Sequence, residues 1–96
     1  MYVRLTTFQA DRGRMDETIR VIENDVIPAS QVLDGFKGGY WMTDRVTGKV
    51  LALTLFEREE NLQASEASAS HIRAAATEKV GSELLDVERF EVIARA

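Results

Sequence analysis

The hydrophobic and polar positions near the start of the chain follow two periods, one typical of strands and one typical of helices. Residues 2–8 are rich in β-branched and aromatic side chains that alternate between two faces, which predicts a strand. In residues 14–27 the apolar side chains fall four, three and four positions apart, at Met15, Ile19, Ile22 and Val26. This spacing predicts a helix with one apolar face. Pro28 is expected to end or kink that helix.

The middle of the chain predicts two strands joined by a short turn. Residues 36–43 and 49–57 have strand-like composition, and 44-DRVTG-48 between them has the Asp and Gly of a hairpin turn. The third strand is apolar on both faces, because Val50, Ala52, Thr54 and Phe56 alternate with Leu51, Leu53 and Leu55. Two helices in 96 residues can cover only one face of a sheet. The second apolar face therefore predicts a homodimer in which two sheets meet.

The last third of the chain predicts one more helix and one more strand. Residues 59–79 are rich in Ala and Glu and favour a helix that ends at Gly81. Its inward face would carry Leu62, Ala69, Ile72 and Ala76. Residues 84–94 predict the final strand. The resulting order, β-α-β-β-α-β, indicates a ferredoxin-like α+β fold with a four-stranded antiparallel sheet, formed by one domain over residues 1–96.

Composition and charge exclude several classes of function. The net charge is -4, the pI is about 5.0 and no basic stripe exists, so partners such as nucleic acid or an anionic membrane are not expected. The absence of Cys excludes disulfides, thiolate catalysis and Cys-type zinc sites. Arg4 interrupts the position where a signal peptide needs an apolar core, and no apolar run reaches about 18 residues. We therefore expect a cytoplasmic protein.

The stretch 35-GFKGGYWM-42 combines glycines with the only Trp of the chain, and it is a candidate binding feature. Strand alternation places Tyr40 and Trp41 on opposite faces, unless Gly38 and Gly39 form a bulge that shifts the register by one residue. The sequence leaves open which ring faces the helices, and we favour Trp41.

Four segments carry a resemblance to a known family: 13-GRMDE-17, 35-GFKGGYW-41, 44-DRVTGK-49 and 55-LFEREENLQAS-65. Together with the order of elements, they resemble the antibiotic-biosynthesis-monooxygenase (ABM) domains of the dimeric α/β-barrel superfamily. The resemblance implies that two four-stranded sheets form a barrel between protomers, with the helices outside. It also implies a pocket between each sheet and its helices.

The haem-degrading branch of this family is disfavoured. That branch uses an Asn on the first strand, a Trp in the second helix and, ten residues later, a His as iron ligand. When the chains are registered on 56-FEREENL-62, these positions hold Thr7 (or Thr6), Ser65 and Ala75. His71, the only histidine, is expected to point to solvent on the far side of its helix. No cofactor and no metal site is expected.

The cofactor-independent branch implies a dry pocket for a small apolar or aromatic molecule. The pocket candidates are Trp41, Tyr40, Thr7, Thr6 and Arg4, and no residue is assigned a catalytic role. Each also has a purely structural interpretation, such as a packed strand residue or, for Arg4, an ion pair across the dimer. Function therefore stays open between a cofactor-independent monooxygenase of aromatic or polyketide-like substrates, a non-catalytic binding or stress-related module, and an accessory or isomerase-type role.

Overall fold

A four-stranded antiparallel sheet with helices on one face forms the domain. The computed structural model describes all residues, 1–96. The strands are β1 (Tyr2–Gln9), β2 (Phe36–Asp44), β3 (Lys49–Phe56) and β4 (Glu83–Glu91), in the sheet order β2-β3-β1-β4. The helices are α1 (Met15–Val21), α2 (Ile27–Gln31), α3 (Glu59–Ala64) and α4 (Glu66–Val80). This arrangement confirms the predicted ferredoxin-like α+β fold. None of the helices is both long and apolar enough to span a membrane.

The first helical segment does not end at Pro28. A π-helical turn at Ile22–Val26 joins α1 to α2, and Pro28 lies in the first turn of α2. At this turn the Ile27 N–H donates to the carbonyl of Ile22, five residues back. The wider turn gives the proline ring room beside the preceding carbonyls, and the first turn of a helix tolerates the missing N–H. The helical segment therefore continues to Gln31, beyond the predicted end.

The second helical segment is divided where one continuous helix was predicted. Ser65 separates α3 from α4, and its hydroxyl donates to the carbonyl of Leu62 at 2.8 Å. A hydroxyl that bonds the backbone locally competes with regular helix geometry, which explains the break. The predicted cap at Gly81 is confirmed, because this residue adopts the left-handed conformation at φ 66°.

The β2–β3 hairpin has an irregular register at its start. The register shifts between Phe36 and Gly38, so the bulge lies at Lys37 and not within the glycine pair. Beyond it the pairing is regular, with Tyr40 opposite Leu53 and Trp41 opposite Ala52. The two aromatic rings therefore lie on opposite faces of the sheet.

The two faces of the sheet have different surroundings. Val50, Ala52 and Phe56 are buried on the face beneath the helices. The opposite face carries Leu51, Leu53 and Leu55, and no element of the chain lies over it. Three large side chains on that face are also exposed, namely Tyr40, Met42 and Phe90. The predicted second apolar face is thus present on a single chain.

Candidate functional site

A cavity lies between the helix-facing side of the sheet and the helices. Its walls come from three parts of the fold. The strands contribute Phe8, Trp41 and Phe56, the π-helical turn contributes Val26, and α4 contributes Ile72. The cavity volume is about 80 Å³, which has room for several water molecules. Typical small-molecule sites are larger, at roughly 300–1,000 Å³. A ligand must therefore be small or must displace the helical cover.

Trp41 lies at this cavity because a glycine leaves room for its ring. Gly39 is on the same face, and a Cβ added there would lie 3.1 Å from Cζ3 of Trp41 and 2.7 Å from the carbonyl oxygen of Leu53. Only glycine fits that space without displacing the strand or the indole. Tyr40 points to the opposite face and is 68% exposed. Its ring does not line the cavity.

Arg4 brings a buried positive charge to the cavity wall. Its side chain is 3% exposed, and its Nη2 donates to the Leu62 carbonyl at 3.0 Å and to Ser65 Oγ at 2.7 Å. The same nitrogen is 3.1 Å from a carboxylate oxygen of Glu66. The guanidinium carbon lies 5.4 Å from the centre of the Phe56 ring, within cation–π distance. Arg4 is thus paired within its own chain.

Glu66 is held as an anion by two arginines. Arg89 donates from Nε and Nη2 to the two carboxylate oxygens at 2.7 Å each. These hydrogen bonds, together with the bond and charge of Arg4, lower the pKa of Glu66 to about 2 against the opposing effect of burial. A carboxylate with so low a pKa is a weak base at neutral pH.

The five sequence-predicted pocket residues divide between the two faces of the sheet. Arg4, Thr6 and Trp41 line the cavity. Thr7 pairs with Leu51 and Asp86 on β3 and β4 and does not line it. Because side chains alternate along a strand, adjacent threonines cannot share a face.

Sequence reasoning did not name Thr18 or Arg73 as cavity residues. Both line the cavity, and Thr18 Oγ1 is buried without a hydrogen-bond partner. Arg73 lies four residues after Ala69, which was assigned to the inward face of the helix. The helical period was therefore sufficient to place Arg73 on the inward face. It was not named there because a charged side chain is usually expected to face solvent.

The cavity residues do not fit a haem-iron site. Iron in haem proteins is held by His, Cys, Met or Tyr, and none of these lines the cavity. His71 is exposed on α4, as predicted from the helical period, and Ala75 is exposed as well. Ser65 is buried and bonded to Arg4. The chemistry of the lining therefore provides no axial ligand.

Comparison with known sequences finds relatives of unassigned function. No protein-family model matches the chain. Two uncharacterized Mycobacterium tuberculosis proteins, from strains CDC 1551 / Oshkosh and ATCC 25618 / H37Rv, are each 33% identical over 94 residues. The match covers 98% of this chain but 42% of each relative, so the chain spans less than half of their length.

Comparison with solved structures identifies the fold. A Deinococcus radiodurans protein assigned to the antibiotic biosynthesis monooxygenases superposes with a TM-score of 0.77, at 13% identity over 100% of this chain and 96% of that one. The haem-degrader MhuD of Mycobacterium tuberculosis, solved with two haems in its active site, gives 0.74 at 19% identity, covering 100% and 99% of the two chains. The Streptomyces coelicolor monooxygenase ActVA-Orf6, in complex with nanaomycin D, gives 0.70 at 13% identity, covering 99% and 88%. The chain therefore has the fold of the antibiotic-biosynthesis-monooxygenase domains.

Proposed function

We propose that this ABM-like protein binds a small aromatic or polyketide-like molecule in the cavity between sheet and helices and oxygenates it without a bound cofactor. The observation that supports this proposal is an apolar cavity with Trp41 on one wall and the buried cation of Arg4 on another. Apolar walls bind an aromatic body, and a few convergent polar groups orient it. The complex of ActVA-Orf6 with nanaomycin D gives an example of a ligand bound by a protein of this fold.

The proposed reaction converts an activated CH₂ group between or beside aromatic or carbonyl groups into a ketone. Loss of one proton gives a carbanion that is delocalised into the ring. Electron transfer to O₂ and recombination form a C–O bond and a peroxide, which then loses water. The balance is R₂CH₂ + O₂ → R₂C=O + H₂O, so the substrate supplies all the electrons.

The role of the chain is to favour the carbanion and to exclude water. Arg4 is a fixed positive charge at the cavity wall, and such a charge lowers the free energy of an anion in a site of low dielectric. Trp41 and the phenylalanines around it hold the ring by apolar contact. The small volume favours substrates with a single ring over fused tricyclic ones, which need the helical cover to move.

A second candidate function is binding without turnover, and one observation favours it. No carboxylate and no imidazole lines the cavity, and the nearby Glu66 is a weak base because its pKa is about 2. A substrate would have to lose its proton to water or arrive already ionised. A pocket without a base is consistent with a binding module that retains the fold but does not catalyse oxygenation.

The proposed function includes a homodimer. The sheet face that carries Leu51, Leu53 and Leu55 has no cover within the chain, and Tyr40 and Phe90 extend this apolar surface. Apolar patches of this kind on a domain are typical of protein–protein interfaces. The occupant that we propose is the same face of a second copy, so that the two sheets close a barrel with the helices outside.

Oxygen uptake and ligand binding separate the two candidate functions. A panel of single-ring aromatic compounds with an activated CH₂ group, and of tricyclic hydroxyanthrones for comparison, is incubated with the protein in an oxygen electrode, with heat-denatured protein to measure autoxidation. We expect uptake above that background, reduced about tenfold in Trp41→Phe, because the indole loses its contact with the ring. Tyr40→Phe is the matched control, since Tyr40 lies on the opposite face. Binding without uptake supports the non-catalytic function, and an unchanged rate in Trp41→Phe removes Trp41 from the site.

A further inference from the structure

The charge of the cavity lining is entirely positive. Among the side chains that line it, only Arg4 and Arg73 are charged. Glu66 lies outside the lining, and its two oxygens are already engaged by Arg89 and Arg4. The cavity is therefore cationic, although the net charge of the whole chain is -4.

Three polar atoms around the cavity are buried without a partner. These atoms are the Nε of Arg4, the Nε of Arg73 and the Oγ1 of Thr18. All hydrogen bonds of Arg4 come from Nη2, and Arg73 makes no hydrogen bond or ion pair within the chain. Burial, and then the charge of Arg4, lower the pKa of Arg73. Buried N–H and O–H groups without a partner are costly, so these three atoms point to a ligand that accepts their hydrogen bonds.

We infer that the cavity is an anion site, and that its ligand is a small aromatic carboxylate whose carboxylate group bridges Arg73 and the free Nε side of Arg4. A carboxylate accepts two parallel hydrogen bonds from one guanidinium edge, and its lone pairs also match a hydroxyl such as that of Thr18. The apolar walls then hold the ring against Trp41. A cationic ligand would be repelled by both arginines, and a neutral amide would accept hydrogen bonds from them without balancing their charge.

This inference rests on the proposed binding cavity and adds the charge of its ligand. It also assigns Arg73 as the residue that sets specificity. Arg4 has a structural role as well, because it bonds Leu62 and Ser65. Arg73 has no such bond, so its substitution tests the anion site with little effect on the fold.

The experiment compares benzoate with its neutral isostere benzamide. Binding to the full chain is measured by isothermal titration calorimetry and by the emission of Trp41, the only Trp. We expect benzoate to bind at least tenfold more tightly than benzamide. We expect Arg73→Gln to remove most of that difference by weakening benzoate binding, while benzamide affinity changes less than twofold. Arg20→Gln is the control, since it removes the same charge at an exposed position of α1.

Each outcome has a distinct meaning. Equal affinities for benzoate and benzamide overturn the anion site but leave the aromatic cavity in place. Binding of benzoate that Arg73→Gln does not weaken places the anion elsewhere and also overturns the inference. If neither compound gives heat or changes Trp41 emission at millimolar concentration, both the anion site and the proposed binding function are refuted. Thermal unfolding of each variant without ligand checks that the fold is intact.

Discussion

Replacement of Glu66 by Gln tests the ion-pair network that holds Arg4 at the cavity. The pKa of Glu66 falls from 4.5 to about 2 on folding, a difference of about two and a half units. At about 1.4 kcal/mol per unit, the charged form contributes at most about 3.5 kcal/mol to the free energy of unfolding. The Glu66 side chain is 31% exposed, so solvent screening reduces this contribution. We expect Glu66→Gln to destabilise the protein by about 2 kcal/mol at pH 7.

The pH dependence of this effect has a defined sign. Because the folded-state pKa lies below the unfolded value, the stabilisation is complete well above pH 4.5 and is lost as the pH falls through about 2. At pH 3, linkage leaves about two-fifths of the pH 7 contribution. The difference in the free energy of unfolding between the wild type and Glu66→Gln should therefore decrease by more than half between pH 7 and pH 3.

Urea denaturation at pH 7, 5, 4 and 3 measures the difference directly. Glu78→Gln is the matched control, because Glu78 is an exposed residue of α4 without an ion pair. It corrects for the general loss of negative charge. A Glu66→Gln variant within about 0.5 kcal/mol of the wild type at pH 7, or a deficit that is constant from pH 7 to pH 3, would refute the assigned role of the carboxylate.

Two further predictions concern the packing of Trp41 and the open face of the sheet. Gly39→Ala should destabilise the protein by about 1–3 kcal/mol and alter Trp41 emission, because the new Cβ would lie 2.7 Å from the Leu53 carbonyl oxygen. An unchanged midpoint of urea denaturation would contradict the close packing. Leu53→Lys should convert a dimer to a monomer by light scattering at micromolar concentration, because it places a charge in the proposed sheet–sheet interface. Ser70→Lys, at an exposed position of α4, should leave the mass unchanged. A monomeric wild type would refute the dimer.

Local patterns in the sequence determined most of the fold. Three patterns were enough to predict these elements: the alternation in residues 50–56, the helical period of residues 15–26 and the turn at 44–48. Each depends only on residues that are close together in the sequence. The predicted strands and helices are accordingly present, with different ends. The ends differ because Pro28 and Ser65 act through backbone hydrogen bonds that no periodicity encodes.

The site was predicted less completely than the fold. Of the five candidates, Trp41, Thr6 and Arg4 lie at the cavity, whereas Thr7 and Tyr40 lie on the other face of the sheet. Alternation fixes which residues of a strand share a face. For β2 it does not say which face lies under the helices, because that depends on where the bulge at Lys37 shifts the pairing with β3.

By itself, the sequence determined the order of the elements, the two apolar faces of β3 and the absence of a histidine at the inward face of α4. Only the tertiary structure showed that Arg4 forms an ion pair with Glu66, sixty-two positions away in the sequence. It also showed that Arg73 and Thr18 face the same cavity, each with a buried polar atom that has no partner. The physical reason is that hydrogen-bond satisfaction of a buried charge depends on groups from distant segments. Periodicity places a side chain on a face, and packing alone determines what it meets there.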